Sequence, residues 1–345
     1  MSESPRSNKG TMLPRILDTI RAHSSFLVTS HEFADGDGVG SEIALYYGLT
    51  ALGKRVRVIN NEPLNERYRF LDPEGVAQCF EQATFPAQFS GAKAVIVVDN
   101  NSWPRLKHLE AHIKASGLPV ICLDHHVVVK PFSDLHLYDL DATSSGEVVY
   151  EVLKALGAPI GRTAAQAIFT TLCTDSGWFR HSNTTRRTFE NCAELMGHGL
   201  DPEAIYAEIN HRESPELKRL LAKVLEEIRV EHGGVYAYTV VRREHRREPF
   251  IDLVETDGFI DHVRTIKGVL LCAVFKEMRS GGVKISLRSR EPFASHNVAL
   301  ALGGGGHKHA SGVTLKAELE PTIALVSGLV AKEVERVRAE RPAAP

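Results

Sequence analysis

Four places in the chain carry residue types suited to binding hard or borderline divalent cations. The first lies in "TSHEFADGDGVGS", residues 29–41, and reads His31-x-x-x-Asp35-x-Asp37. A D-x-D turn can set two carboxylates around one point, and an imidazole adds a nitrogen donor. Gly36, Gly38 and Gly40 let the backbone fold tightly there. The same residues would equally serve as an Asx-rich turn capping a following helix. The second place is Asp99 in "VIVVDNN", a carboxylate that closes an apolar run, where turn or cap aspartates are also common. The third is Asp124-His125-His126 after "VICL". Three adjacent polar groups need partners once they lose water, and ligand, phosphate donor and orienting carboxylate are roles such a trio can fill. A solvated loop is the plainer alternative. The fourth is Asp175, which ends the helix-like "TTLCTD". An acid at a helix C-terminus opposes the macrodipole and calls for a cation. Arg180 and His181 are nearby, and a metal would serve better.

Two further features bear on anions. In "LALGGGGHKHASG", Gly303 to Gly306 precede His307, and consecutive backbone N–H groups at a helix start would make an anion-sized nest. Arg288 in "VKISLRSR" could pair with a phosphate or stand as an exposed charge at a strand edge. The run "VRREHRREPF" carries Arg242, Arg243, Arg246 and Arg247, but Glu244 and Glu248 interrupt it. It reads as a solvated face rather than a nucleic-acid patch.

The elements that must position these residues follow from periodicity. "SFLVTS", "KRVRVIN", "KAVIVVD" and "PVICLDHH" are strand-like and alternate with amphipathic helices such as "GSEIALYYGLTALG" and "RLKHLEAHIKASG". That pattern indicates a parallel βαβ sheet. Ligands of such sheets gather at the carboxyl ends of the strands, near a switch in strand order. His31 to Asp37, Asp99, and Asp124 to His126 all follow strands, so their side chains should converge. From about residue 143 the pattern turns helical, through "SSGEVVYEVLKALG" and "RTAAQAIFTTLCTDSG". "SPELKRLLAKVLEEIRVEHGG" reads as one long helix entering a second unit. The last third restarts as α+β, with "GVLLCAVFKE" and "GGVKISLRS" joined by a hairpin at "MRSGG". The fold expected is α/β in two domains: a disordered tail at 1–13, a parallel-sheet domain with flanking helices at 14–200, a helical linker at 201–230, a smaller α+β domain at 231–338 and a tail at 339–345.

At 345 residues with 43% hydrophobic and 24% charged residues, the chain has the composition of a globular protein with room for two cores. Lys+Arg 41 against Asp+Glu 43 gives a net charge of -2, without the basic excess of a protein that binds long duplexes. A short anionic ligand remains compatible. The five cysteines are widely spaced with no CxxC pair, which indicates reduced thiols and a cytoplasmic protein. "MSESPRSNKGTMLPR" has no apolar signal-like region. No apolar run of about 18 residues occurs, so no membrane segment is expected.

One His, a histidine pair and several carboxylates are enough for two cations about 4 Å apart, which would generate a nucleophile and stabilise a departing oxygen in phosphoryl transfer. The oxygen-rich set without thiolate suits manganese, with magnesium and cobalt as alternatives.

Taken in order, "SHEFADGDGVGS", "VIVVDNN", "LDHH" and "TTLCTDSGWF" resemble the four N-terminal motifs of the DHH phosphoesterases. "SLRSR" and "GGGGHKHASG" resemble the accompanying DHH-associated C-terminal domain. The likeness spans roughly residues 14–335 and is greatest to the bacterial branch of bifunctional oligoribonucleases (nanoRNases) and pAp phosphatases. The resemblance implies that His31, Asp35 and Asp99 hold one manganese, that Asp37, Asp99, His125 and Asp175 hold the other, and that Asp99 bridges them. It places His126 beside the scissile phosphate with Asp124 orienting the histidine pair. It also implies that Arg288, His307 and the backbone of Gly304, Gly305 and Gly306 grip the substrate across an interdomain cleft. Short RNA or DNA oligonucleotides, linear dinucleotides such as pGpG and pApA, and pAp would be the substrates, and a homodimer is plausible for the family. Ala34 stands where the family commonly has proline, Gly38 where alanine is common, and Lys308-His309 where a proline-containing pair is frequent. None of these removes a ligand. Rival readings are a RecJ-like single-strand exonuclease, a manganese pyrophosphatase, and, from another class, a non-catalytic nucleotide-binding sensor.

Overall fold

The apolar runs of the first half become β1 (Ser25–Thr29), β2 (Arg55–Asn60), β3 (Ala77–Cys79), β4 (Ala94–Val98), β5 (Val120–Asp124) and β6 (Leu135–Tyr138). The structure is a computed structural model and describes residues 7–82, 88–126, 132–245, 256 and 258–340, with His307 described by its backbone only. The six strands form one sheet in the order β3-β2-β1-β4-β5-β6, parallel throughout. β1, β4 and β5 are buried along their whole length, because helices cover both faces. On one face lie α1 (Lys9–Ala22), α2 (Gly36–Ala51), and, after α3 (Lys107–Ser116), α4 (Ser145–Leu156) and α5 (Arg162–Asp175). They bury Ile16, Ile43, Leu45, Val149 and Ile168 against Phe26, Val28 and Ile96. α3 covers the other face, packing Leu109 and Ile113 on Leu27, Val95 and Val97. Strand order reverses between β1 and β4, so the switch point falls where His31 and Asp99 leave the sheet.

The chain divides into two units, Met1–Arg212 and Glu213–Pro345. After α6 (Arg186–Met196) and α7 (Pro202–Asn210), the second unit opens with α8 (Pro215–Glu226). Its strands are β7 (Arg229–Glu231), β8 (Tyr236–Val241), β9 (Leu271–Glu277), β10 (Val283–Ser289), β11 (Gly305–His307) and β12 (Ala310–Leu315), in the order β11-β12-β10-β9-β8-β7. Side chains alternate between two cores. α10 (Ser295–Ala301) and α11 (Leu319–Glu340) cover Tyr236, Phe275, Ile285 and Leu287. On the other face, α8 and α9 (Phe259–Arg264) cover Ala237, Cys272 and Val274.

Several local expectations are revised. α1 starts at Lys9, inside the segment expected as tail. Pro14 lies inside this helix, one turn in, where its missing N–H forgoes a single backbone bond. The helix expected through "EEIRVEHGG" stops at Glu226, and Arg229–Glu231 pairs as an edge strand with β8. β3 and β6 are too short to read from apolar periodicity. The glycine run is not a helix start: it follows α10 and enters the β11–β12 hairpin. A Cβ on Gly304 would lie 2.4 Å from the Gly312 carbonyl oxygen, so close strand approach demands glycine there. Arg288 is not on a strand edge, because β10 lies between β9 and β12. In the basic run, Arg246 and Arg247 lie outside the described residues.

Candidate metal centre

The D-x-D turn serves both readings at once. Asp35 is the N-cap of α2, its Oδ1 accepting from the N–H groups of Asp37 at 2.9 Å and Gly38 at 3.3 Å. Oδ2 makes no part of that cap. Asp37, only 2% exposed, turns the opposite way. Its Oδ2 accepts from Ser145 N at 2.7 Å and its Oδ1 from Gly146 N at 2.9 Å, both at the start of α4. Asp99 follows β4 with a left-handed φ of 51°. Its Oδ2 lies 3.2 Å from His31 Nε2, and Ser145 Oγ donates to its Oδ1 at 3.2 Å. At the end of β5, buried Asp124 accepts from His125 N at 2.9 Å and from His126 Nδ1 at 2.8 Å. Asp175 ends α5, and Asn183 Nδ2 donates to its Oδ2 at 3.3 Å. Neither basic neighbour of Asp175 meets this carboxylate: Arg180 Nε donates to Gly177 O at 2.6 Å, and the His181 ring reaches the Asp175 backbone oxygen at 3.3 Å.

These side chains come together in three trios whose donor atoms lie within 4.8 Å of one another: His31–Asp35–Asp99, Asp37–His125–Asp175 and Asp99–His125–His126. Asp35 and Asp37 fall in different trios. His125 Nε2 is buried without a hydrogen-bond partner, 3.5 Å from Asp175, 3.7 Å from Asp37 and 4.0 Å from Asp99. A cation bonded at about 2.0–2.2 Å to nitrogen and oxygen keeps neighbouring donors about 3–4 Å apart, so the spacing fits. Tautomers agree. His31 Nδ1 faces Glu32 O at 2.6 Å and His125 Nδ1 faces Ala142 O at 3.4 Å. Donation there leaves each Nε2 lone pair pointing at carboxylates, an arrangement that a cation resolves.

Electrostatics point the same way. Burial pushes the Asp99 carboxyl well above its ordinary range, and repulsion from Asp37 and Asp35 adds to it. Burial likewise raises Asp37. Asp175 is pushed up to about 8 by burial and then by the charges of Asp37 and Asp35. Crowded buried carboxylates of this kind can hold protons or divalent cations. For His126, burial disfavours the imidazolium, yet the Asp124 hydrogen bond and the charges of Asp124, Asp99 and Asp37 hold it up to about 9. Asp124 is held below the usual carboxylate range: burial opposes ionisation, and the His126 hydrogen bond, neighbouring His136 and the charges of His126 and His125 together outweigh it.

The residues that brace the centre escape motif reading. Ser144 caps α4 by accepting from Glu147 N at 3.2 Å, and Thr143 N donates to Glu147 Oε2 at 2.6 Å. Arg187 ties Glu147 at 3.0 Å to Asp139 at 2.9 Å. The S-x-x-E signature of Ser144 to Glu147 is the one sequence signal for a helix start there, and nothing in it indicates that the freed amides would clamp Asp37. Gly146 is required in this clamp, because a Cβ would lie 2.0 Å from Thr171 Oγ1. Gly146→Ala is expected to cost about 1–3 kcal/mol of stability and to weaken divalent-cation binding about tenfold by moving the amides off Asp37. Calorimetric titration beside denaturant unfolding checks this, and wild-type cation affinity in the variant would refute the clamp.

In the second unit, Arg288 is half-buried with Nη1 donating to Leu287 O at 3.0 Å. Gly304 to Gly306 and the His307 backbone lie at β11, and the His307 side chain falls outside the described residues. Lys308 pairs with Glu291, and the His309 ring lies 3.0 Å from Ser289 Oγ. Among the described residues, no helix is long and apolar enough to cross a membrane.

Comparison with known proteins places these motifs. The model for the DHH family, N-terminal domain, matches residues 25–174, and that for the DHHA1 domain matches residues 233–332. A bifunctional oligoribonuclease and PAP phosphatase NrnA of Thermus thermophilus is 30% identical over 314 residues, covering 90% of each chain. An exopolyphosphatase-related protein of Bacteroides fragilis shares the fold, with a TM-score of 0.90 at 22% identity over 97% of this chain and 99% of that one. A RecJ exonuclease bound to manganese aligns at a TM-score of 0.55 and 17% identity, over 95% of this chain and 97% of that one. With both domain models in sequence and a relative of this identity along nearly its whole length, the chain belongs to the DHH family of phosphoesterases.

Proposed function

We propose that the protein hydrolyses short 5′-phosphorylated oligonucleotides, including linear dinucleotides of the pGpG and pApA type, to nucleoside 5′-monophosphates, and removes the 3′-phosphate of pAp. The observation that carries the reading is the division of Asp35 and Asp37 between two ligand trios that sit side by side at the switch point. The Thermus relative's name, which covers both activities, supports the choice of substrates. His31, Asp35 and Asp99 would hold one divalent cation, and Asp37, Asp99, His125 and Asp175 a second, with manganese the metal expected. Two such cations supply charge neutralisation at phosphorus and a nucleophile at neutral pH.

The chain's own part in the reaction lies with the histidine pair and the second unit. Asp124 Oδ1 fixes His126 through Nδ1, so Nε2 is the atom free to carry a proton to the leaving 3′-oxygen. Despite burial, the Asp124 hydrogen bond and the nearby carboxylates favour the protonated ring in the cation-free protein. Arg288, the Gly304–Gly306 backbone and His307 would hold the substrate's terminal phosphate or nucleotide. Anchoring one end selects which phosphate reacts, which favours short substrates.

One panel tests the reading: manganese-dependent turnover of pGpG, a pentanucleotide, a long single strand, pAp and pyrophosphate. The dinucleotide and pAp are expected to be cleaved fastest. Faster cleavage of the long strand would favour a RecJ-like exonuclease, preference for pyrophosphate would favour a pyrophosphatase, and binding without any turnover would favour a sensor.

A further inference from the structure

Phe33 sits between the two ligand candidates His31 and Asp35, and its ring has no obvious place in a soluble fold. It is 75% exposed, the highest value among the large apolar side chains of the described residues. Its φ is 54°, an outlier for a bulky residue. The backbone on either side is tied down. Phe33 N donates to Glu62 Oε2 at 3.0 Å, Glu32 N donates to Arg105 O at 2.8 Å, and the Glu32 carboxylate pairs with Lys107 at 3.0 Å. Ala34 packs on the core, and Asp35 caps α2. Several contacts therefore hold an apolar ring in water at the rim of the His31–Asp35–Asp99 trio. Strain kept in place by its surroundings is characteristic of ligand clamps. Two residues of chain span no more than about 7 Å, so the ring is anchored within that distance of the backbone of both His31 and Asp35.

We propose that Phe33 is a stacking platform for the nucleobase next to the scissile phosphate, and so a specificity-determining residue of this chain. The inference rests on the oligonucleotide reading above. A flat aromatic face accepts any base, purines best, and its loss by alanine substitution typically weakens binding about 5- to 150-fold. No charge or catalytic proton is involved, so the effect belongs in KM for substrates that carry the base.

The test compares kcat/KM for pGpG with kcat/KM for its counterpart lacking the base that abuts the cleaved phosphodiester, at saturating manganese. In the wild type the base-bearing substrate is expected to be preferred. Phe33→Ala and Phe33→Leu are expected to lower that preference about tenfold through KM, whereas Phe33→Trp keeps it within about twofold. Equal losses on both substrates, or no loss, would overturn the platform, and wild-type turnover would leave the proposed activity standing. Absence of oligonucleotide turnover in the wild type would overturn both. Circular dichroism and thermal unfolding of each variant accompany the kinetics. The alanine and leucine variants at this exposed position are expected to fold, and identical preference in Phe33→Trp and Phe33→Leu would also count against stacking.

Discussion

Asp99→Ala is expected to abolish turnover of every substrate, by about a thousandfold or more, and to lower bound manganese from about two ions per chain to one at most. The reason is position. Asp99 Oδ2 faces His31 Nε2 at 3.2 Å, while Oδ1 lies 3.4 Å from His126 Nδ1 and 4.0 Å from His125 Nε2. It is the carboxylate that belongs to two of the three trios. Its loss therefore removes a donor from both sides of the centre, where replacing Asp35 or Asp175 would remove a donor from one. A structural role makes the opposite forecast for stability. Burial and repulsion from Asp37 and Asp35 hold the Asp99 carboxyl well above its ordinary range, so the charged group opposes folding when no cation is bound. Asp99→Asn should thus leave the cation-free protein as stable as the wild type or more so, while the rise in Tm on adding manganese largely disappears. Metal analysis and thermal unfolding in the two states check both parts. A variant that remains active, or one that loses cation-free stability yet keeps two ions, would remove Asp99 from its bridging place.

Much of this centre is legible in the sequence because a parallel sheet converts one-dimensional order into convergence. Val and Ile runs announce β1, β4 and β5, and polar residues that follow such strands must share one edge. His31, Asp99, Asp124 and the histidine pair therefore meet as expected. Asp175 is legible for a different reason: a carboxylate at the end of an apolar helix is frustrated unless something positive is near. What does not show is support that comes from unlike partners far away in sequence. Nothing around Asp37 says that its carboxylate takes the amides of Ser145 and Gly146, since backbone donors have no sequence signature. The Glu147–Arg187–Asp139 braces are invisible too, as each residue alone resembles a surface charge. In the second unit the glycine run does not mark a helix start, because four glycines suit a tight β-hairpin equally well, and the close approach of Gly304 to the Gly312 carbonyl demands glycine there. Phe33 reads as an ordinary residue in sequence, and only exposure and φ single it out.

The pH dependence of stability should reverse its usual sense in this protein when cations are removed. Asp175 is pushed up to about 8, chiefly by burial, and Asp37 and Asp99 are raised for the same reason. A carboxyl whose folded pKa exceeds its unfolded value binds a proton on folding between those two values, so its contribution is full below about 4 and is lost as pH rises through the folded pKa. His126, held up to about 9, acts in the same direction above about 6.5. Asp124, held low, acts oppositely but only in acid. The net expectation for the chelated protein is a fall in stability of a few kcal/mol from pH 5 to pH 8, since each tenfold difference in proton affinity between folded and unfolded states is worth about 1.4 kcal/mol. Divalent cations compete with protons for the same oxygens, so saturating manganese should flatten this slope, and the Tm gain it confers should grow steadily across the same range. Glu42 provides an internal control. It is fully buried on α2, accepts from Asn60 Nδ2 at 2.7 Å and is raised to about 7 by burial. It belongs to none of the trios. Glu42→Gln should therefore shave the slope equally with and without manganese, whereas Asp175→Asn should shave it only in the chelated protein. Unfolding curves at several pH values, with EDTA and with manganese, measure all of these slopes. Stability of the chelated protein that rises from pH 5 to pH 8, or a manganese increment independent of pH, would mean that the acidic cluster does not exchange protons for cations.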